Sequence, residues 1–148
     1  MEHALVIIDP SEGSKALVEE AGKLAAGVAA KMTLLHVTTE ETYADRRVEM
    51  ESISNSAETY SLTQAKAGAE NFAEDVGREV LAGIDVEWTA RGAIGEYDVR
   101  TIEEAESLGC DHVFISGVKR SPTGKALFGD HTQQVILNFN GPVTVLTT

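Results

Sequence analysis

The chain has 148 residues, 43% of them hydrophobic and 24% charged. That is ordinary usage for one globular domain with its own core, here expected over residues 1–148, and it argues against a disordered or fibrous chain. Acidic residues number 24 against 12 basic ones, a net charge of −12; such a surface repels nucleic acid and anionic membranes, so neither is an expected partner.

No apolar run reaches the length of a bilayer span, and MEHALVIIDP lacks the basic start and long apolar stretch of a signal peptide. The cytoplasm is the expected compartment. An acidic excess with modest lysine also suits a very salty cytosol, where ions screen self-repulsion.

In chain order, Ala4–Ile8 is a continuous apolar run, the pattern of a strand buried on both faces of a parallel sheet. Asp9-Pro10-Ser11 ends it and starts a helix, with Ser or Asp as cap and Glu12 at the favourable end of the dipole. Leu17, Ala21, Leu24, Ala25 and Val28 then recur at helical spacing. Met32–Val37 is a second strand. From Thr38 to Ala57 the chain turns polar and acidic, which predicts a long excursion with room for a helical turn, of the kind that is mobile or functional. Ala65, Ala69, Phe72, Val76 and Val80 stripe a second long helix stopped by Gly83.

Ile84–Ala90 alternates as a third strand, and Gly92–Gly95 reads as a turn. Val99, Ile102, Ala105 and Leu108 stripe a helix ended by Gly109, and His112–Ser116 is a fourth strand. Thr132, Val135, Ile136 and Phe139 mark a further helix, Asn140-Gly141-Pro142 closes it, and Val143–Thr147 is the last strand.

This βαβαβαβαβ order predicts an α/β fold, an open doubly wound parallel sheet with helices on both faces. Ligands of such sheets bind outside the carboxyl ends of the strands, where the strand order reverses. The candidates there are Asp9, Val37, and Gly117 with the loop that follows it.

That loop, Gly117–His131, departs from the rest of the chain in charge. Lys119, Arg120 and Lys125 face only Asp130, giving +2 and leaving −14 elsewhere. Glycines let a backbone approach a ligand, a helix starting near Gly129 adds free N–H groups, and the hydroxyls of Ser121 and Thr123 add donors. These are the parts of a phosphate site; an exposed loop relieving local acidity is the alternative. The P-loop signature fails, because Lys119 stands where its first glycine belongs and Ala126 replaces the magnesium-binding hydroxyl. No GxGxxG follows the first strand.

Asp9-Pro10-Ser11-Glu12 after the first strand, Leu34-Leu35-His36-Val37, Gly117 with Gly129, and Gly141-Pro142-Val143-Thr144-Val145 together resemble the universal stress protein family over nearly the whole chain. The resemblance implies five strands in the order 3-2-1-4-5 and a cytoplasmic stress-response module that binds an adenine nucleotide, ATP or AMP. Ile7, Asp9 and the backbone of Val37 would hold the adenine end, Gly117 would lie under the ribose or phosphates, and Gly129 would meet the phosphates. Lys119, Arg120, Ser121, Thr123, Asp130 and His131 complete the candidate set.

The chain departs from the nucleotide-binding pattern in three ways. Gly117 and Gly129 are twelve apart where the pattern has thirteen, Arg120 stands nearest the missing second glycine, and Asp130 replaces a Ser or Thr. A carboxylate ~4 Å from a phosphate charge costs about 4 kcal/mol at an effective dielectric of 20. Asp130 is therefore read as a helix cap, a Mg²⁺ ligand or an element that excludes triphosphate. A homodimeric interaction protein without nucleotide is the alternative function, and a weak ATPase the next; no P-loop, general base or arginine finger is evident.

The remaining residues have plainer readings. Cys110 is expected to be a buried structural thiol. Asp9 is either the adenine-reading carboxylate or a helix cap. His36 and His131 approach the switch point without metal spacing, and His3 and His112 start strands in structural roles. The last strand is expected at a sheet edge, where the family pairs it antiparallel, so a homodimer built on Val143 and Val145 is predicted.

Overall fold

A computed structural model describes residues 1–53, 61–117 and 129–147. Five strands, β1 (His3–Ile8), β2 (Lys31–Thr38), β3 (Trp88–Ile94), β4 (His112–Gly117) and β5 (Val143–Thr147), form one parallel sheet in the order β3-β2-β1-β4-β5. The expected architecture and strand order are both present. β1 lies at the centre with all six residues buried, which is why its sequence is apolar on both faces.

Helices α1 (Glu12–Gly27) and α3 (Leu62–Val80) cover one face of the sheet, where Ala4, Val6, Ile8, Met32 and Leu34 meet Leu17, Ala21, Ala73 and Val76. Helices α4 (Tyr97–Leu108) and α5 (Asp130–Asn138) cover the other, where Leu5, Ile7, Leu35 and Val37 meet Ala105 and Val135. The strand period of two thus sorts one sequence into two cores. Cys110 is buried in the second, and burial first, then Asp111, pushes its thiol up to about 11, as suits a structural role. His3 bonds Thr33 Oγ1 and His112 bonds Thr144 Oγ1, each at 2.8 Å, tying neighbouring strands together.

The structure corrects three sequence expectations here. The stretch after β2 contains more than a helical turn: α2 spans Glu40–Ile53. Local signals build it, since Thr39 Oγ1 accepts from the Thr42 amide at 3.2 Å and Glu40 and Glu41 sit at the positive end of the dipole. It carries no apolar stripe, and Val48 and Met50 are exposed, so periodicity has nothing to detect.

The third strand begins at Trp88, four residues later than expected. Ile84 and Val86 alternate as a strand would, yet their amides bond locally to Leu81 O and Ile84 O while their side chains pack on the α1/α3 core. Gly92 belongs to the strand and pairs with His36. A Cβ there would run into the Lys66 carbonyl and stand 2.6 Å from the Glu70 amide, so the glycine permits α3 to lie close on the strand. Gly95, with φ +145°, makes the turn alone.

Candidate functional site

The two flanks of β1 differ. Against β2 it is paired through its whole length, from His3↔Lys31 to Ile8↔His36. Against β4 the pairing stops at Val6↔Phe114, while β4 continues to Gly117 alongside β5. β1 and β4 therefore part over their last residues, and a cleft of about 920 Å³ opens at that switch point. Asp9, Pro10, Ser11 and Gly13 line it together with Tyr97, Ser116 and Gly129–Thr132.

Asp9 stands at the head of the parting. Its amide donates to Ser14 Oγ at 2.8 Å, and the Ser14 hydroxyl donates back to Asp9 Oδ1 at 3.0 Å. The Ser116 hydroxyl donates to Asp9 Oδ2 at 3.5 Å, long for such a bond, so that oxygen keeps acceptor capacity toward the cleft. Asp9 is not the helix cap: Ser11 holds that position, with its carbonyl accepting from the Ser14 amide at 3.1 Å.

Tyr97, the first residue of α4, packs against the second core cluster and lines the cleft. Burial first, then the charge of Asp9, raises its phenol well above the ordinary tyrosine range and keeps it a protonated donor. The His131 ring lies 5.4 Å from it, tilted by 56°, and His131 Nδ1 is 3.7 Å from Asp98 Oδ1.

Gly129 is the N-cap of α5, in extended conformation with φ −66°. A Cβ built there meets nothing within 4 Å, so neither backbone strain nor crowding requires a glycine. The expectation that Asp130 caps this helix is corrected: Asp130 is the first helical residue and is exposed. The reason lies in the hydrogen bonds, because the Gly129 carbonyl accepts the first helical bond from the Gln133 amide at 3.1 Å. The amides of Asp130, His131 and Thr132 have no partner within the helix. Thr132 is buried and its hydroxyl donates to Ser116 O at 3.3 Å, fixing the start of α5 to the end of β4.

The other predicted residues flank this centre. Beyond Ile8↔His36, β2 runs on to Thr38 paired only with β3, so Val37 lies where β2 overhangs β1. Ile7 is buried beneath, packed with Leu35 and Val37. Gly117, buried, ends β4. His36 Nδ1–H donates to Ile8 O at 2.9 Å and its ring rests on Phe72, which makes it a brace between β1 and β2. Lys119, Arg120, Ser121 and Thr123 lie outside the described residues.

Three contributors escape a reading by motif: Ser14, Tyr97 and Ser116. Ser14 carried a local signal, a hydroxyl in the first turn after Asp9. Tyr97 and Ser116 carried none, since only the fold brings them to Asp9.

Fold and cleft together define a doubly wound α/β protein with a crevice at the carboxyl edge of its sheet. The Universal stress protein family matches residues 1–147, and the chain belongs to that family. Three solved structures are similar in fold. The universal stress protein UspA from Lactobacillus plantarum has a TM-score of 0.71 at 18% identity, over 98% of this chain and 97% of its own. A universal stress protein in complex with cAMP has 0.66 at 18%, over 99% and 96%. The universal stress protein from Archaeoglobus fulgidus in complex with dAMP has 0.60 at 14%, over 98% and 97%. None of the curated proteins compared gave a match. Among the described residues no helix is long and apolar enough to cross a membrane, and no group of three or more His, Cys, Asp or Glu could hold a metal.

Proposed function

We propose that this chain is a regulatory stress-response module of the cytoplasm that holds an adenine nucleotide, ATP or AMP, across the carboxyl ends of β1, β2 and β4. The observation that carries the reading is the parting of β1 from β4 beside the open N-terminus of α5. The adenine end lies over Ile7, between the Val37 backbone and Asp9, the ribose lies near Gly117, and the phosphates meet the amides at the start of α5 beside Gly129. The uncrowded glycine there suits close approach of a ligand to backbone. Lys119, Arg120 and Lys125, with Ser121 and Thr123, come from the stretch between Gly117 and Gly129 and supply countercharge and donors. The cAMP and dAMP complexes formed by two structural neighbours support this reading.

The role proposed is binding rather than catalysis, since the sequence offers no P-loop, evident general base or arginine finger. His131 stands at the rim beside Asp98. Asp130 favours the helix dipole and competes with a phosphate for the same amides. It is also the residue placed to meet Mg²⁺, an ion that would offset phosphate charge there. The exposed carboxylate supports a second reading, a homodimeric interaction protein that holds no triphosphate.

Mass spectrometry of the denatured purified protein will show co-purified nucleotide. Calorimetry with ATP and AMP, with and without Mg²⁺ at high salt, will compare the wild type with Asp130→Ser. Removal of the acid is expected to tighten ATP at least about tenfold, within the charge–charge energy at this range. If neither form binds at millimolar ligand, the nucleotide reading fails and the interaction protein remains.

The chain is further proposed to form a homodimer through β5. The Val113 amide donates to Pro142 O, which sets the phase of the β4–β5 ladder and turns the N–H and C=O of Val143 and Val145 outward. At the opposite edge, Arg91 of β3 is paired inward with buried Glu104, a device that discourages edge pairing. Sedimentation at working salt should give a dimer; a monomer contradicts this.

A further inference from the structure

Asp9 shares its cleft with a donor carried by α4. Tyr97 enters from α4, on the far side of the crevice from α1, and its ring is held by the second core cluster. The backbone of the same residue is fixed too, because the Thr101 hydroxyl donates to Tyr97 O at 2.7 Å. Among the described residues the Tyr97 hydroxyl itself makes no hydrogen bond, and the half-buried residue lines the cleft with its donor free to meet a ligand. The His131 ring closes the wall beside it. Asp9 Oδ2, held among the described residues by the long contact from Ser116 alone, is an acceptor with capacity to spare.

A phenol donor and a carboxylate acceptor therefore line one cleft. A ligand that answers both presents an acceptor next to a donor. Adenosine does so twice, at the N1 and amino edge of its base and at the two hydroxyls of its ribose. Resting on the nucleotide reading above, we infer that Tyr97 is a specificity-determining contact of this site, donating a hydrogen bond to the nucleoside portion of the ligand that Asp9 accepts from.

Tyr97→Phe is the variant to make, because it keeps the ring that packs on the core and removes only the donor. Calorimetry with AMP, 2′-deoxyAMP and IMP on the folded wild type and variant reads the effect. An unchanged thermal melt confirms that the variant folds. The wild type is expected to bind AMP about five- to tenfold more tightly than Tyr97→Phe, as one neutral hydrogen bond allows.

The other two ligands locate the bond. Equal affinity of wild type and variant for IMP places it on the base edge; equal affinity for 2′-deoxyAMP places it on the sugar. Equal AMP affinity in the two proteins overturns the inference while leaving the nucleotide reading intact. Failure of the wild type to bind AMP at millimolar concentration removes both.

Discussion

The two flanks of β1 do different work. On the β2 side every residue is paired, His36 braces Ile8, and Leu34 packs into the core with Val6 and Ala73. On the β4 side only three residues pair before the strands part. The closed flank supplies cooperativity and holds Asp9 at a fixed height; the open flank leaves the space in which a ligand fits. A doubly wound sheet reaches this division without a special motif, because its chain direction reverses on one side of the first strand alone.

Substitutions on the two flanks should therefore separate stability from binding. The largest effect is expected on the closed flank. Leu34→Ala removes a fully buried side chain and should destabilise the protein by about 2–5 kcal/mol in denaturant unfolding. Nucleotide affinity of the fraction that remains folded should not change.

A smaller effect on the same flank comes from protonation. Burial, with a lesser contribution from Arg46, holds His36 below its ordinary value of 6.5, against the opposing pull of the Ile8 carbonyl and Asp9. Between its folded value and 6.5 the unfolded chain binds more protons than the native one, so stability falls as pH drops through that window. His3 and His112 are lowered as well, chiefly by burial, and act in the same direction. Unfolding curves at stepped pH should show the decline, and His36→Gln should make it shallower but not abolish it.

The smallest stability change belongs to the open flank. Gly129→Ala adds a methyl where nothing lies within 4 Å and φ is ordinary, so stability should shift by only about 0.5–1 kcal/mol, the cost of a poorer cap. Affinity for AMP should nevertheless drop. Loss of stability without loss of affinity would show that this glycine serves the fold and not a ligand.

Most of the fold was legible because its signals are local. The apolar run Ala4–Ile8, the stripes of α1, α3 and α4, and the stop at Gly109, which adopts φ +69°, each lie within one element. The strand order came from the resemblance to the family, and crossover helices restricted the alternatives. What escaped had a different physical origin. α2 is held by its cap and not by a stripe, and Gly92 is small because α3 crosses it.

At the site, Asp9, Gly117 and Gly129 could be placed by their positions after strands or before a helix. Ser116 reaches Asp9 across 107 positions, and Tyr97 comes from a helix beyond the edge strand, so no spacing in the sequence signals either. Asp130 stands out in the sequence as a departure from the family pattern, but its place one residue inside the helix depends on which carbonyl accepts the first helical bond.

The open flank of β1 is proposed as the binding site. Amide chemical-shift mapping of the wild type with AMP tests it most directly. Shifts are expected at Asp9, Val37, Ser116 and Gly129–Thr132, with the β1–β2 pairs from His3 to Val6 unmoved. No shifts at millimolar AMP, or shifts confined to residues away from this cleft, would contradict it.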